Sequence, residues 1–167
     1  MTTHTIKDTF LTQEYYKQLE ALICWSAGNF PWYLCKNVVG HQTGDRRNDW
    51  HLSHVAYCTS NPRSSVYNDL RELLNQIPDL RALIRVKINF YPPTQEVITY
   101  TPHVDYEYDH KGAIFSLNTC DGFTQLEDGT KVDSVENRLL LFNSSVLHSG
   151  SSTTDPKGRF NININYL

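Results

Sequence analysis

The sequence predicts an α+β protein that is mainly β, in which N-terminal helices precede a jelly roll. Before Pro78, apolar residues recur at helical spacing in two segments. After Pro78 the period falls toward two, which is the spacing of half-buried strands. These later segments are short and separated by turn residues, an arrangement typical of a sandwich or barrel. We therefore expect one domain over residues 1–167, with helical support over about 1–78 and a jelly-roll core over about 79–167.

Two segments of the first half carry the helical pattern. The first is LTQEYYKQLEALICWS, residues 11–26, which follows a possible N-cap at Thr9 or Thr12. The second is SSVYNDLRELLNQIP, residues 64–78, where a serine can cap the start and Pro78 ends the helix.

Strand patterns fill the second half. In RALIRVKINFY, residues 81–91, polar and apolar side chains alternate, so one face is expected to be buried. Asp128-Gly129 predicts a hairpin between two of the later strands. The other predicted strands are EVITYTPHV, GAIFSLN, FTQLED, TKVDSVEN, RLLLFNS, VLHSG and RFNININYL.

Composition and charge argue against several classes of protein. Hydrophobic residues make up 40% and charged residues 20% of the 167, which is ordinary globular usage and disfavours disorder. A net charge of −3 provides no overall basic field for nucleic acid. No apolar run approaches the ~20 residues that span a bilayer, and the first residues, MTTHTIKDTF, lack a secretory pattern. We expect a cytoplasmic protein whose four scattered cysteines are free thiols.

Three residues have the types and order of a metal site. His103 and Asp105 are two positions apart, so in an extended segment their side chains point to the same side and converge on one ion. His148 comes directly after an apolar strand, and the fold can bring it to the same point. Two histidines and one carboxylate form the facial triad that binds Fe(II) and leaves positions open. We predict that these three residues bind a metal.

Arg159 completes the pattern. It follows His148 by eleven residues and begins the last alternating strand, RFNININYL. An arginine inside the same barrel can bind the distal carboxylate of a dicarboxylate through a bidentate, charge-assisted pair.

This ordered set resembles the Fe(II)/2-oxoglutarate-dependent oxygenases, most closely the small prolyl-4-hydroxylase-like group. The segment GAIFSLNTCDGFTQLEDG is similar to that family's strand, loop and Gly-Gly-x-Thr-x-Phe motif, with Phe123 in place of the second glycine and Leu126 in place of the aromatic residue. The resemblance covers about residues 83–167. FPWY, residues 30–33, is similar to a feature of small phage-type members, the phage and bacterial type of the group.

The resemblance implies a double-stranded β-helix that uses Fe(II), 2-oxoglutarate as co-substrate and, as a further candidate, ascorbate. It implies that Arg159 anchors 2-oxoglutarate and that Tyr91, on the strand before His-x-Asp, contacts it. Asn161 is a further cofactor-binding candidate. Asn89-Phe-Tyr91 and Arg159-Phe-Asn161 also resemble segments of the AlkB-type demethylases.

The implied reaction is hydroxylation of a C–H bond, with succinate and carbon dioxide as co-products. The expected substrate is a peptide, with proline the first residue to test, or a small amino-acid-like molecule; no nucleic acid or membrane partner is expected. One alternative is an AlkB-like nucleic-acid demethylase, which would carry a second arginine where this chain has Asn165. Another alternative is a cupin-like jelly roll that binds a metal or ligand without catalysis.

Several other polar residues receive structural predictions. His51 and His54 are expected to be exposed loop histidines, and Asp109 and His110 to form a solvated turn. Arg46-Arg47 is expected to be a short charged loop.

Substrate contacts are expected at two places. Tyr106 and Tyr108 lie just beyond Asp105 and either line the substrate entrance or cover the sheet. The region 40–60 is the other candidate, because its loops contain residues suited to packing on a peptide: Trp50, His51, His54 and Tyr57.

Overall fold

The computed structural model describes residues 4–26, 28–36 and 50–167. The three helices lie in the first half of the described chain, and strands make up the second half. In order they are β1 (Thr5–Lys7), α1 (Gln13–Cys24), β2 (Tyr33–Cys35), β3 (His51–Cys58), β4 (Asn61–Pro62), α2 (Val66–Asp69), α3 (Arg71–Gln76), β5 (Leu83–Tyr91), β6 (Lys111–Ser116), β7 (Phe123–Leu126), β8 (Lys131–Asp133), β9 (Arg138–Asn143), β10 (His148–Gly150) and β11 (Arg159–Tyr166).

Helices form at both predicted places. The Thr12 side chain caps α1 by accepting a hydrogen bond from the backbone N–H of Tyr15, which satisfies one of the free donors of the first turn. The second predicted helix is divided at Leu70 into two short helices, α2 and α3. The last helical residue is Gln76, two positions before Pro78.

Two antiparallel sheets make up the rest of the fold. The large sheet has the order β1-β9-β6-β11-β5-β3-β2, with β4 paired to β3, and the small sheet has the order β10-β7-β8. The segment between β5 and β6 joins the small sheet through two bridges, Thr99 with Ser151 and His103 with His148. From β5 onward the chain therefore passes repeatedly between the two sheets. This is the jelly-roll arrangement that the sequence predicts.

The chain before the jelly roll is not purely helical, so that expectation is not confirmed. β1 precedes α1 and pairs with β9 at one end of the large sheet. β3 pairs with β5, and β2 pairs with β3 at the other end. The first part of the chain therefore extends the large sheet as well as covering it.

The main core lies between the helices and one face of the large sheet. Leu19 of α1 and Leu73 of α3 are buried in the same cluster as apolar side chains of β5 and β11. On these two strands the remaining positions are polar and point to the opposite face. That face is turned toward the small sheet, so the interior of the jelly roll is lined by polar groups.

The turn between β7 and β8 has the predicted chemistry. The two strands pair antiparallel, and Gly129 in the turn has a φ of +84°, which favours glycine. The predicted strand EVITYTPHV, by contrast, is represented by isolated bridges. In the part of the chain that the structure describes, no helix combines the length and the apolar character needed to cross a bilayer.

Candidate metal centre

His103, Asp105 and His148 come together at the mouth of the jelly roll. Each offers one ligand atom, and these atoms all lie within 4.8 Å of one another. His103 and His148 pair through two backbone hydrogen bonds of 2.9 Å, which set their side chains beside each other. Asp105 follows two positions after His103, and its backbone N–H donates to the carbonyl of Ser144. The structure thus brings all three predicted ligands to one point.

The backbone orients both imidazole rings. His148 Nδ1 lies 3.0 Å from the carbonyl oxygen of Val146, and His103 Nδ1 lies 3.3 Å from that of Thr101. A carbonyl can only accept, so each Nδ1 carries the hydrogen and each Nε2 presents a lone pair. Burial lowers the pKa of His148, which favours the neutral form that binds metals.

The Asp105 carboxylate is held by four donors. Arg85 Nη2 donates to Oδ1 at 2.7 Å. Ser144 Oγ at 2.7 Å, Asn165 Nδ2 at 2.8 Å and the longer contact of Asn163 at 3.4 Å all reach Oδ2. Burial alone would raise the pKa of Asp105, but Arg85 and the hydrogen bonds lower it well below its usual range. The carboxylate is therefore ionised, as a metal ligand must be.

Replacing Asn165 with alanine should weaken metal binding by about 10- to 100-fold, since it removes a donor that orients the ligand carboxylate. The matched control is Asn163→Ala, on the same face of β11, whose contact with Asp105 Oδ2 is longer, at 3.4 Å. A smaller loss is expected there. The measurement is a competitive Fe(II) or Zn(II) titration. Equal losses in the two variants would contradict the assignment.

Arg159 lies deeper in the interior and is 2% exposed. Its Nη1 donates to the Ser151 carbonyl at 3.1 Å and its Nη2 donates to Thr124 Oγ1 at 3.0 Å. Its Nε is buried and has no partner, and no carboxylate forms an ion pair with it among residues 4–26, 28–36 and 50–167. A buried cation without a counter-ion is costly, so this position is suited to an anionic ligand.

β10 connects the two parts of the site. His148 and Gly150 are two positions apart and so face the same side, about 7 Å apart along an extended strand. A Cβ on Gly150 would lie 3.4 Å from Arg159 Nη1. The guanidinium is therefore about one strand repeat from the metal-ligand cluster. This separation fits a short dicarboxylate that reaches both.

Tyr91 and Asn161 also lie beside Arg159. Tyr91 pairs with Arg159 across β5 and β11, and its ring centroid is 5.5 Å from the guanidinium carbon. Asn161 is buried and its Oδ1 accepts a hydrogen bond from Asn89 Nδ2 at 3.0 Å. Asn89 Oδ1 is buried without a partner. Both predicted cofactor-binding residues thus face the interior, where contact with a ligand stays a prediction.

Gly122→Ala should weaken binding of 2-oxoglutarate by at least about tenfold, the effect of losing one hydrogen bond to a charged group. The added Cβ would lie 2.7 Å from Arg159 Cδ and 2.8 Å from the Ser152 carbonyl oxygen, so the guanidinium must move. The control is Gly129→Ala, where positive φ causes strain but nothing lies within 4 Å. Isothermal titration measures both. An unchanged affinity in Gly122→Ala would show that the Arg159 position is not critical.

Three of the predicted exposed residues are buried. His51 and His54 lie in β3, not in a loop, and are 2% and 3% exposed. The ring nitrogens of His54 form hydrogen bonds with the Pro31 carbonyl and Ser64 Oγ, on the side of the sheet away from the jelly-roll interior. The role of His54 is therefore structural. His110 is also buried, next to exposed Asp109. The prediction for His51 and His54 is wrong because β3 has no regular alternation of buried and exposed positions.

Tyr106 and Tyr108 stack on each other beside Asp105, with ring centroids 5.4 Å apart. Tyr108 is 50% exposed, and Arg85 lies over the Tyr106 ring. The Tyr106 ring therefore lies next to the Arg85–Asp105 pair, and contact of either ring with a substrate stays a prediction. Arg46-Arg47 lies outside the described residues, as does most of the first half of region 40–60.

The residues that hold Asp105 and Arg159 were not identified as site residues from the sequence. Arg85 was recognised only as one polar residue in an alternating strand, and Asn165 only as the absence of a second arginine. The sequence shows only that every second residue of β11 is polar, and the structure adds that both faces of the strand are largely buried. A polar face on a fully buried strand indicates a lined interior. The interior residues that were not identified as site residues from the sequence are Arg85, Lys87, Thr124, Ser144 and Asn165.

No protein-family model matches this chain, and no curated protein matches it. Solved structures match nearly its whole length. A prolyl-4-hydroxylase from Pseudomonas putida has a TM-score of 0.66 at 16% identity, covering 99% of this chain and 93% of that chain. A Trichoplax adhaerens prolyl hydroxylase, in complex with a peptide fragment of hypoxia inducible factor, has a TM-score of 0.64 at 16% identity, covering 100% and 84%. The epimerase SnoN, in complex with Fe3+, alpha ketoglutarate and nogalamycin RO, has a TM-score of 0.69 at 8% identity, covering 99% and 79%.

The chain therefore has the fold of the prolyl-4-hydroxylase-like, 2-oxoglutarate–Fe(II) oxygenases. This confirms, at the level of fold, the resemblance found in the sequence. Because the neighbours include both hydroxylases and an epimerase, the reaction and the substrate depend on the site residues of this chain.

Proposed function

We propose that this protein is a non-haem Fe(II)/2-oxoglutarate-dependent dioxygenase that hydroxylates a C–H bond of a peptide or a small amino-acid-like substrate. One observation carries the proposal: the same interior holds a His-Asp-His cluster and, about one strand repeat away, a buried arginine without a carboxylate partner in the described parts of the chain. Two neutral imidazoles and a carboxylate are the donor set of a non-haem iron site. The donor chemistry therefore fits Fe(II), and the arginine fits a dicarboxylate.

Each residue has a defined role in this proposal. His103, Asp105 and His148 would hold the metal, while backbone hydrogen bonds and Ser144 keep these side chains in position. Arg159 binds the distal carboxylate of 2-oxoglutarate, while Thr124 and Ser151 fix the guanidinium. When bound, Fe(II) would allow dioxygen to act as the oxidant: one oxygen atom would enter the C–H bond to give an alcohol, and the other would enter succinate as 2-oxoglutarate loses carbon dioxide.

The proposal of a peptide substrate, with proline as the first residue to test, rests on the fold. One structural neighbour was solved with a peptide fragment bound. In this chain, Tyr106 and Tyr108 stack on each other just after Asp105, and large flat rings suit contact with a peptide. The net charge of −3 supports a substrate other than a polyanion, because nucleic-acid enzymes neutralise several phosphates.

The test is succinate release by protein reconstituted with Fe(II) and supplied with 2-oxoglutarate and oxygen. Release above background is expected, and a panel of proline-containing peptides and free amino acids should increase it. His148→Ala protein, purified and loaded in the same way, is the control for free iron. Tight metal binding without any consumption of 2-oxoglutarate would overturn the enzyme and favour the cupin-like alternative.

The demethylase alternative is tested by titrating single-stranded DNA and RNA at low salt. Weak or absent binding is expected. Tight binding that falls steeply with salt, together with demethylation, would contradict the proposed substrate class.

A further inference from the structure

Lys87 lies on the polar face of β5 that lines the interior. Strand pairing sets it opposite Asn163 of β11, and the next pair along is Arg85 with Asn165, both of which bind Asp105. Same-face neighbours on a strand are about 7 Å apart. Lys87 is therefore close to the metal ligands without contacting them.

Three cationic side chains point from β5 and β11 into this interior: one has an anionic partner in the structure, and a second has a proposed one. Arg85 pairs with the Asp105 carboxylate. Arg159 is assigned to 2-oxoglutarate in the proposed function. Lys87 forms no ion pair with any carboxylate in the described parts of the chain. Its Nζ donates a hydrogen bond to His51 Nε2 at 3.3 Å. Within residues 4–26, 28–36 and 50–167, the Lys87 ammonium therefore has no carboxylate counter-ion.

The protonation of His51 indicates which chemical groups a ligand of Lys87 would need. Burial, and then the charge of Lys87, lower the pKa of His51 to about 3, so the ring is neutral. Lys87 has only donors, so His51 Nε2 accepts and Nδ1 carries the hydrogen. Nδ1 is buried, the ring is only 2% exposed, and no hydrogen-bond partner for Nδ1 is present among the described residues. The pair thus offers an ammonium and an unpaired N–H, both of which donate.

The Lys87 end of the pair is partly accessible from outside. β3 places Val55 opposite Lys87, and Val55 is exposed. Lys87 itself is half-buried, and burial together with the charge of Arg85 lowers the pKa of its ammonium. A lysine that only needed water could extend outward, so this arrangement is costly unless an anion binds there.

We infer that Lys87 and His51 form a second anion subsite, which binds a carboxylate of the amino-acid or peptide substrate and so positions its C–H bond near the metal ligands. This inference rests on the proposed function and defines its substrate class as one that bears an acidic group. The carboxylate has two possible sources in a peptide, an acidic side chain or the free C-terminus. The Arg159 position serves a different carboxylate, that of the co-substrate.

The experiment measures binding without turnover. Protein loaded with Zn(II) and saturating 2-oxoglutarate is titrated calorimetrically with two matched pairs of probes. One pair is acetyl-Pro-Glu-amide and acetyl-Pro-Gln-amide, which isolates a side-chain carboxylate. The other pair is acetyl-Pro-Gly with a free carboxylate and the same peptide as its amide. The acid of at least one pair should bind roughly 10- to 150-fold more tightly than its amide, the effect of a hydrogen-bonded charge.

Lys87→Met keeps most of the aliphatic stem and should abolish the difference between acid and amide, whereas Lys87→Arg should retain most of it. Lys111→Met is the matched control, since Lys111 is an exposed surface lysine that pairs with Asp79. It should leave the difference unchanged. Melting curves and 2-oxoglutarate affinity, measured on each variant, show whether the fold and the co-substrate site persist.

Two results would overturn the subsite alone. In the first, the wild-type protein binds 2-oxoglutarate but does not prefer either acid over its amide. In the second, the preference for the acid persists in Lys87→Met. If the wild-type protein binds neither Zn(II) nor 2-oxoglutarate, the proposed function fails and the subsite fails with it. The side-chain pair and the C-terminal pair identify the source of the carboxylate separately.

Discussion

Replacing His148 with alanine should abolish stoichiometric metal binding and reduce succinate release to background. Changes in residues that only orient a ligand cost 10- to 100-fold in metal affinity, so loss of a ligand should cost more than about 100-fold. His103→Ala should behave in the same way, because the two rings lie side by side with centroids 4.7 Å apart. The measurements are metal content after dialysis and competitive titration of Fe(II).

A buried histidine outside the cluster provides the control. His54 is 3% exposed and hydrogen-bonded, so His54→Ala should lower the melting temperature but keep one metal per chain. The fold of His148→Ala should persist, since the main core lies on the other face of the large sheet. Full metal occupancy and activity in both His103→Ala and His148→Ala would place the metal elsewhere.

Replacing Arg159 with lysine should weaken 2-oxoglutarate binding by roughly 10- to 150-fold and leave metal affinity nearly unchanged. The substitution retains a charge but loses the planar fork, and a hydrogen bond to a charged group is worth about 1.5–3 kcal/mol. Arg159→Met should lose the interaction completely. Calorimetric titration of 2-oxoglutarate into Zn(II)-loaded protein measures both variants.

Thermal unfolding provides a second measurement of the same assignment. At a 2-oxoglutarate concentration 100 times its Kd, wild-type protein should gain about 2.7 kcal/mol of stability. Arg159→Met should gain much less at that concentration, although its unliganded form need not be less stable, because an unpaired buried cation is removed. Arg138→Met is the control, since Arg138 pairs with Asp8 at the surface. Wild-type affinity for 2-oxoglutarate in Arg159→Met would refute the assignment.

The part of the site that could be predicted from sequence is the part with a fixed local pattern. His103 and Asp105 are two positions apart, and this spacing suffices to make their side chains converge in extended chain. His148 and Arg159 each stand next to an apolar or alternating strand, which placed them near the interior. The structure brings the three predicted ligands within 4.8 Å of one another.

The residues that act around this pattern depend on strand pairing. Arg85 reaches Asp105 because β5 pairs with β11 in a register that sets Arg85 opposite Asn165. A shift of one residue would turn these side chains to the helical side of the sheet. His51 was misassigned for the same reason, because only its pairing in β3 shows that it is buried beside Lys87.

The sequence by itself determined the mainly-β class, the positions of α1 and of most jelly-roll strands, and the ordered residues His103, Asp105, His148 and Arg159. These follow from periodicity and local spacing, which any strand or helix obeys. Only the tertiary structure decided that the first part of the chain adds strands to the large sheet. It also decided which polar residues face the interior and that Lys87 has no carboxylate partner in the described residues. The physical reason is that strand register and burial arise from contacts between segments distant in sequence, which local pattern does not encode.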